Sequence, residues 1–183
     1  MLGQIAIFLI DTVVAFLVYL LLVRFHFQWL RVPFRNPAGQ FVLALTSWAV
    51  VPARRVIPSL AGLDLATLVL AWLAQALGLW AQVAIAGGEP TLGALAAVAA
   101  VDLVRFSLYI LVFAVILHVA LMWINPDAPA EPLLDMITRP FLRPLRRYVP
   151  PVANVDLTPM LLIVVLYVLL IPLSYLRMAA AGL

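Results

Sequence analysis

Four apolar runs, each long enough to cross a bilayer, decide what this chain can fold into. They are Leu2–Val23, Leu63–Ala86, Leu92–Ile124 and Val155–Leu176. A hydrocarbon core about 30 Å thick is spanned by roughly 20 apolar residues in a helix. Few polar residues interrupt the runs: Gln4 and Asp11 in the first; Asp64, Gln75 and Gln82 in the second; Asp102, Arg105 and His118 in the third; Asp156 in the fourth. The first run has no basic residue ahead of it and no small-x-small cleavage site before Arg24, so it reads as a retained helix. Pro159 falls in the first turn of the last helix, and Pro172 is expected to kink or end it. Composition agrees: 67% of residues are hydrophobic and 10% charged, against about 45–50% and about 25% in a soluble domain. A soluble globule, a disordered tail and a basic nucleic-acid-binding domain are excluded. The absence of cysteine removes disulfides, iron–sulfur clusters, covalent haem and Cys-based zinc sites.

Charge placement orients the runs. All eleven basic residues are Arg. Arg24, Arg31, Arg35, Arg54 and Arg55 lie between runs one and two, and Arg139, Arg143, Arg146 and Arg147 between runs three and four. The Gly87–Thr91 connection carries only Glu89. The positive-inside rule then expects both Arg-rich connections in the cytoplasm, with both termini and the short turn outward. Arg177, near the outward C-terminus, is the dissenting charge.

The chain also repeats itself. Thr46–Leu65 overlays Thr138–Leu157, with Thr46, Pro52, Arg54, Arg55, Pro58, Ala61, Asp64 and Leu65 meeting Thr138, Pro144, Arg146, Arg147, Pro150, Ala153, Asp156 and Leu157. Ile57, Leu60 and Leu63 match Val149, Val152 and Val155, and Trp29 corresponds to Trp123. The division falls at 1–91 and 92–183. Two spans per repeat give both the same orientation, a parallel duplication. The expected fold is an all-α membrane protein: four transmembrane helices as two parallel repeats, each helix–cytoplasmic amphipathic helix–helix.

Within the first connection, Asn36-Pro37 reads as an N-cap followed by Pro at the first helical position, with Phe41, Leu45 and Trp48 at helical spacing and Pro52 ending the run. In the second, Pro129 takes the place of Pro37. Leu133, Leu134, Ile137 and Phe141 form the stripe, and Pro140 is expected to break it. These segments are expected to lie at the inner surface with the apolar side toward acyl chains. The alternative folds them onto the bundle.

Arg24-Phe25, Trp29, Phe34-Arg35-Asn36-Pro37, Thr46, Pro52, Arg54-Arg55, Pro58, Gly62 and Asp64, with the second copy of the motif, resemble the YggT family of bacterial membrane proteins, also called YlmG. Two copies in this length resemble its double-unit form. The chain departs from the pattern in its second half: His118 stands for Arg24, Asn154 for Gly62, and the Phe-Arg-Asn-Pro element shrinks to Asn125-Pro126 or shifts to Ala128-Pro129. The resemblance implies a multi-pass protein of the bacterial inner membrane. It also implies links to osmotic-stress tolerance and potassium homeostasis, with relatives near cell-division genes or linked to plastid nucleoids and cytochrome assembly. It implies no enzymatic activity.

Arg54, Arg55, Arg146 and Arg147 are the leading candidates for binding lipid headgroups or an acidic partner, with Arg24 and Arg35 beside them. Each basic residue near an anionic leaflet contributes about 1 kcal/mol. The plainer reading is that they only set topology. Asp64 and Asp156 are expected to cap the outgoing helices, to pair with the Arg-Arg motif of their own or the other repeat, or both. Asp11 and Arg105 each lie 18 residues from their Trp, and a structural Asp11–Arg105 ion pair between repeats is expected near the outer interface. Asp102–Arg105 at i,i+3 is the competing pair. His26 and His118 are expected to be helix-end polar residues. The small residues from Leu73 to Ala100 are expected to pack the second and third spans tightly.

There is no HExxH, P-loop, Gly-x-Ser-x-Gly or facing carboxylate pair. The expectation is therefore no enzyme, no catalytic residue, no cofactor and no metal. Expected partners are anionic lipid headgroups and membrane proteins or further copies of the chain, with no direct nucleic-acid contact. Two functions follow: a scaffold, assembly or stress-tolerance factor working through the Arg-rich segments, or a channel, carrier or regulator for potassium or osmolytes.

Overall fold

The computed structural model describes residues 1–59, 62–125, 127–149 and 156–182. Within the shared motif, Leu60, Ala61, Pro150, Val152, Ala153 and Val155 lie outside the described residues, as do Pro126 and Asn154. The described residues form six helices and no strand: α1 (Leu2–Trp29), α2 (Pro37–Ala53), α3 (Leu65–Ile85), α4 (Leu92–Ile124), α5 (Glu131–Tyr148) and α6 (Thr158–Ala180). Four of these, α1, α3, α4 and α6, are long and apolar enough to cross a membrane. Each repeat is two spans joined by a shorter helix.

Local chemistry sets the ends. Asn36 caps α2, its side chain accepting the Gly39 amide at 2.7 Å, and Pro37 opens the helix. At the end of α1 the Val32 amide donates to the Phe27 carbonyl at 2.8 Å and Arg31 to Gln28 at 3.1 Å. That pattern requires a left-handed residue between helix and loop, and Arg31 takes it at φ 57°. Val32 then packs against Phe27. Gly87 does the same for α3 at φ 80°, where a side chain would be strained.

Three apolar clusters hold the helices. Val18, Leu21 and Leu22 of α1 join Val50, Ala71 and Leu103. Leu111, Val112 and Val115 of α4 join Leu142, Leu162 and Leu166. A third cluster, of Phe27, Val32, Ala114, Leu134 and Ile137, ties the end of the first span to the second repeat. Trp29 and Phe141 meet there with ring centroids 6.5 Å apart. At the opposite end Gln82 of α3 reaches Asp11 of α1, and Arg177 of α6 reaches Asp102 of α4. Both bends therefore share one end of the bundle, and the repeats run the same way up. Outward, Phe8, Phe16, Leu77, Phe113 and Val168 are exposed. Such an apolar belt suits acyl chains, not water.

Several expectations need correcting. Pro140 does not break α5, which runs through both Pro140 and Pro144. Both prolines lie on its exposed side, where a carbonyl freed by a missing N–H stays accessible, while Leu134, Ile137, Thr138 and Leu142 continue the buried side. The proline of its first turn is Pro132, not Pro129. Pro172 lies inside α6, which continues to Ala180. The two connections also settle their apolar faces differently. In α5 the expected stripe folds onto the bundle, with Leu134 and Ile137 buried. In α2 the buried side is Gly39, Val42, Thr46 and Val50, and Phe41, Leu45 and Trp48 are exposed. Small residues serve α1 as much as α4: a Cβ on Gly78 would lie 2.7 Å from Val14 Cγ1.

Candidate functional site

The Arg-Arg motif and its Asp come together within each repeat. In the first, Arg54 leaves the end of α2 and Asp64 stands ahead of α3. Arg54 Nη2 donates to Asp64 Oδ2 at 2.6 Å and Nε to the same oxygen at 3.2 Å. Thr67, one turn into α3, donates its hydroxyl to that carboxylate too. With its amide nitrogen turned toward Asp64, Gln28 of α1 lies 2.8 Å from Oδ2 and its oxygen faces Arg54. Burial by itself raises the Asp64 carboxyl pKa. The Arg54 and Thr67 hydrogen bonds and the Arg54 charge outweigh it and hold the group below its ordinary value. Beside the pair is a cavity of about 330 Å³ lined by Gln28, Arg54, Ile57, Ser59, Gly62 and Asp64.

The second repeat repeats the pairing. Arg146 Nε donates to Asp156 Oδ2 at 2.8 Å. Asp156 Oδ1 accepts the Thr158 amide at 2.9 Å and its hydroxyl at 2.5 Å. Burial opposes ionisation here as well, and the Thr158 and Arg146 contacts again carry the pKa below its ordinary value. Both carboxylates pair with their Arg, and Asp156 also caps its helix. Asp156 bonds a first-turn amide, whereas Asp64, at the N-cap position, is taken up by side chains and makes no cap bond to the helix.

Each Arg-Arg motif thus separates its two members. Arg54 and Arg146 are committed to an Asp. Arg55 and Arg147 are exposed and, among the described residues, form no ion pair. Arg35 is exposed as well. Arg24 is not available at the surface: it is buried in α1 and donates to Thr46 Oγ1 at 2.7 Å and Ser47 Oγ at 3.2 Å. A buried guanidinium needs acceptors; the α2 hydroxyls supply two at Nη1, while Nε has none among the described residues. His118 takes the matching place in the second repeat, its Nδ1 2.7 Å from Thr138 Oγ1 and its Nε2 3.5 Å from Glu131. It is therefore a buried junction between α4 and α5, not a bare helix-end polar residue. Among the described residues His26, by contrast, bonds only its own helix, at the Leu22 carbonyl.

The expected Asp11–Arg105 pair does not form. Asp102 is almost fully buried and draws Arg105 from one turn along α4, at 3.2 Å. It also accepts from Gln75 at 3.0 Å and from Arg177 Nε at 2.7 Å. Asp11, exposed on α1, accepts instead from Gln82 at 3.1 Å. Gln75 and Arg177 were not foreseen as partners. Their signal was a polar residue inside an apolar run and an Arg on the wrong side of the charge bias.

Chemically the bends offer fixed guanidinium charge at one end of the bundle. Among the described residues no group of three or more His, Cys, Asp or Glu is placed to hold a metal ion.

A family model described as CCB3/YggT matches residues 3–84 and 97–177. The chain is 32% identical to "Uncharacterized protein YggT" of Escherichia coli strain K12, over 88% of this chain and 85% of that protein. It is 32% identical to "Uncharacterized protein PA0392" of Pseudomonas aeruginosa strain PAO1, over 84% and 80%. A Vibrio alginolyticus protein, named for the region 3' of proC, is 28% identical over 86% of each chain. No solved structure matches.

Proposed function

The chain belongs to the CCB3/YggT family, and on that premise we propose that it is a non-enzymatic scaffold of the bacterial inner membrane, an assembly or stress-tolerance factor. Its Arg-rich bends face the cytoplasm and gather anionic headgroups or an acidic membrane partner. One observation carries the reading: in both repeats one Arg of the pair is bonded to Asp while its exposed neighbour, among the described residues, makes no ion pair. A topology signal requires only nearby positive charge. A bend braced twice in the same register holds the second guanidinium out for a ligand. The exposed apolar residues of α2, Phe41, Leu45 and Trp48, support an interfacial position beside it. The apolar filling of the bundle by Val18, Leu21, Leu111, Val115 and Leu166 favours this reading over conduction of potassium or osmolytes.

The test is the lipid that travels with the protein in polymer nanodiscs. Anionic lipid should be enriched around the natural protein and fall to the bulk proportion in the Arg55→Gln/Arg147→Gln double variant, each Arg contributing about 1 kcal/mol. Unchanged enrichment removes the two residues from the site. Saturable potassium flux in liposomes, abolished by one point change, replaces the scaffold with a transport path.

A further inference from the structure

The end of the bundle away from the bends holds a second polar cavity, of about 470 Å³, between α3, α4 and α6. Arg177 lines one part of it and Glu89 another, with Gln82 and Thr91 between apolar walls such as Leu79 and Val98. Arg177 is held by its Nε on Asp102, leaving the side chain 38% exposed. Asp102 serves both Arg177 and Arg105, so one carboxylate faces two guanidiniums and a positive charge is left over. Glu89 sits on the α3–α4 turn and, among the described residues, makes no ion pair within 4 Å. A cation and an anion therefore line one cavity without closing on each other.

We propose that this cavity binds a zwitterion carrying a phosphate and a primary ammonium, with the phosphate on Arg177 and the ammonium on Glu89. Arg forms charge-assisted, bidentate bonds to phosphate. An ammonium offers three N–H donors to a carboxylate. The chemistry is that of a phosphoethanolamine group, either the headgroup of a membrane lipid or the free compound. The apolar walls beside the polar ones suit a lipid whose chains continue along α3 and α4. The site is independent of the Arg–Asp bends.

Native mass spectrometry of the delipidated protein, titrated with phosphatidylethanolamine or phosphatidylglycerol, tests it. The natural protein should retain the ethanolamine lipid about fivefold better, the effect of one partly exposed ion pair. Glu89→Gln, on an exposed turn, should bring the two lipids to parity without unfolding the chain. Arg177→Gln should weaken retention of both. Free phosphoethanolamine in a thermal-shift assay separates the sources. Stabilisation lost in Glu89→Gln identifies the soluble compound as a ligand, and a lipid preference without stabilisation identifies the membrane headgroup. Equal retention of the two lipids with no thermal shift, or a preference that survives Glu89→Gln, overturns the proposal.

Discussion

Asp64 meets Arg54 as a nearly buried carboxylate, whereas Asp156 meets Arg146 in the open, although the two Arg side chains are about equally exposed, at 41% and 40%. The Asp64 side chain is 8% exposed and that of Asp156 is 32%. The same motif yields both, so the difference comes from what surrounds it. In the first repeat Gln28 of α1 closes over the pair. The offset that sets Trp123 opposite Trp29 sets Met122 opposite Gln28, and a thioether cannot close over charges in that way. The junctions above the pairs differ as well: Arg24 serves two hydroxyls in one repeat, and His118 serves one hydroxyl and faces Glu131 in the other. Duplication thus preserves the Arg–Asp pair, while the Thr that joins it shifts by one position, from Thr67 to Thr158, the counterpart of Ala66, and the burial changes. The first bend is the better placed to brace the fold, and the second lies more open to a partner.

Removing each Asp should expose that contrast most strongly. Asp64→Ala leaves Arg54, Thr67 and Gln28 without their shared acceptor and should cost about 3 kcal/mol. Asp156→Ala should cost less than about 1 kcal/mol. Denaturant unfolding in detergent measures both, and equal costs would break the comparison. Acid should act in the same order. Both carboxyls titrate below their ordinary 3.8 in the folded chain. Their stabilisation is therefore complete above the unfolded-state value and is lost as pH falls through the lower native one. Asp64→Asn should remove more of this acid sensitivity than Asp156→Asn, read as the pH dependence of the melting temperature.

Exchanging residues between repeats probes the packing next. Gly78 faces Val14 at close range, and the repeat places Leu170 at its counterpart position. Gly78→Leu should destabilise by about 2 kcal/mol through overpacking, with partial recovery on adding Val14→Ala. A tolerated leucine would mean that α1 and α3 can move apart to admit it. The smallest effect is expected from Arg24→His. The imidazole can keep the Thr46 bond and loses the one to Ser47, a cost of about 1 kcal/mol in the same unfolding assay. A larger loss would show that the two junctions are not equivalent.

Much of this fold was legible along the chain. The spans follow from run length, the α2 start from Asn36-Pro37, and the pairing of the Arg-Arg motifs with Asp64 and Asp156 from the duplication, though not that each Asp takes the motif of its own repeat. What was hidden depends on rotation and on distance along the chain. Which partner Asp102 takes is set by how α4 turns toward α3 and α6, and Arg177 lies 75 residues from it. Periodicity marked Phe41, Leu45 and Trp48 as one face but could not say whether protein or lipid would cover it. Proline arithmetic failed in α5 because a helix with one buried side can leave its broken bonds on the other.

The central claim is that both Arg-bearing bends lie on the cytoplasmic face. The chain has no cysteine, so single cysteines can report on it directly. Val56 and Tyr148, one in each bend and 82% and 80% exposed, and Glu89 on the opposite turn are suitable sites. In intact spheroplasts a membrane-impermeant maleimide should label Glu89→Cys and leave Val56→Cys and Tyr148→Cys unlabelled until the membrane is opened. Labelling of either bend from outside would contradict the account.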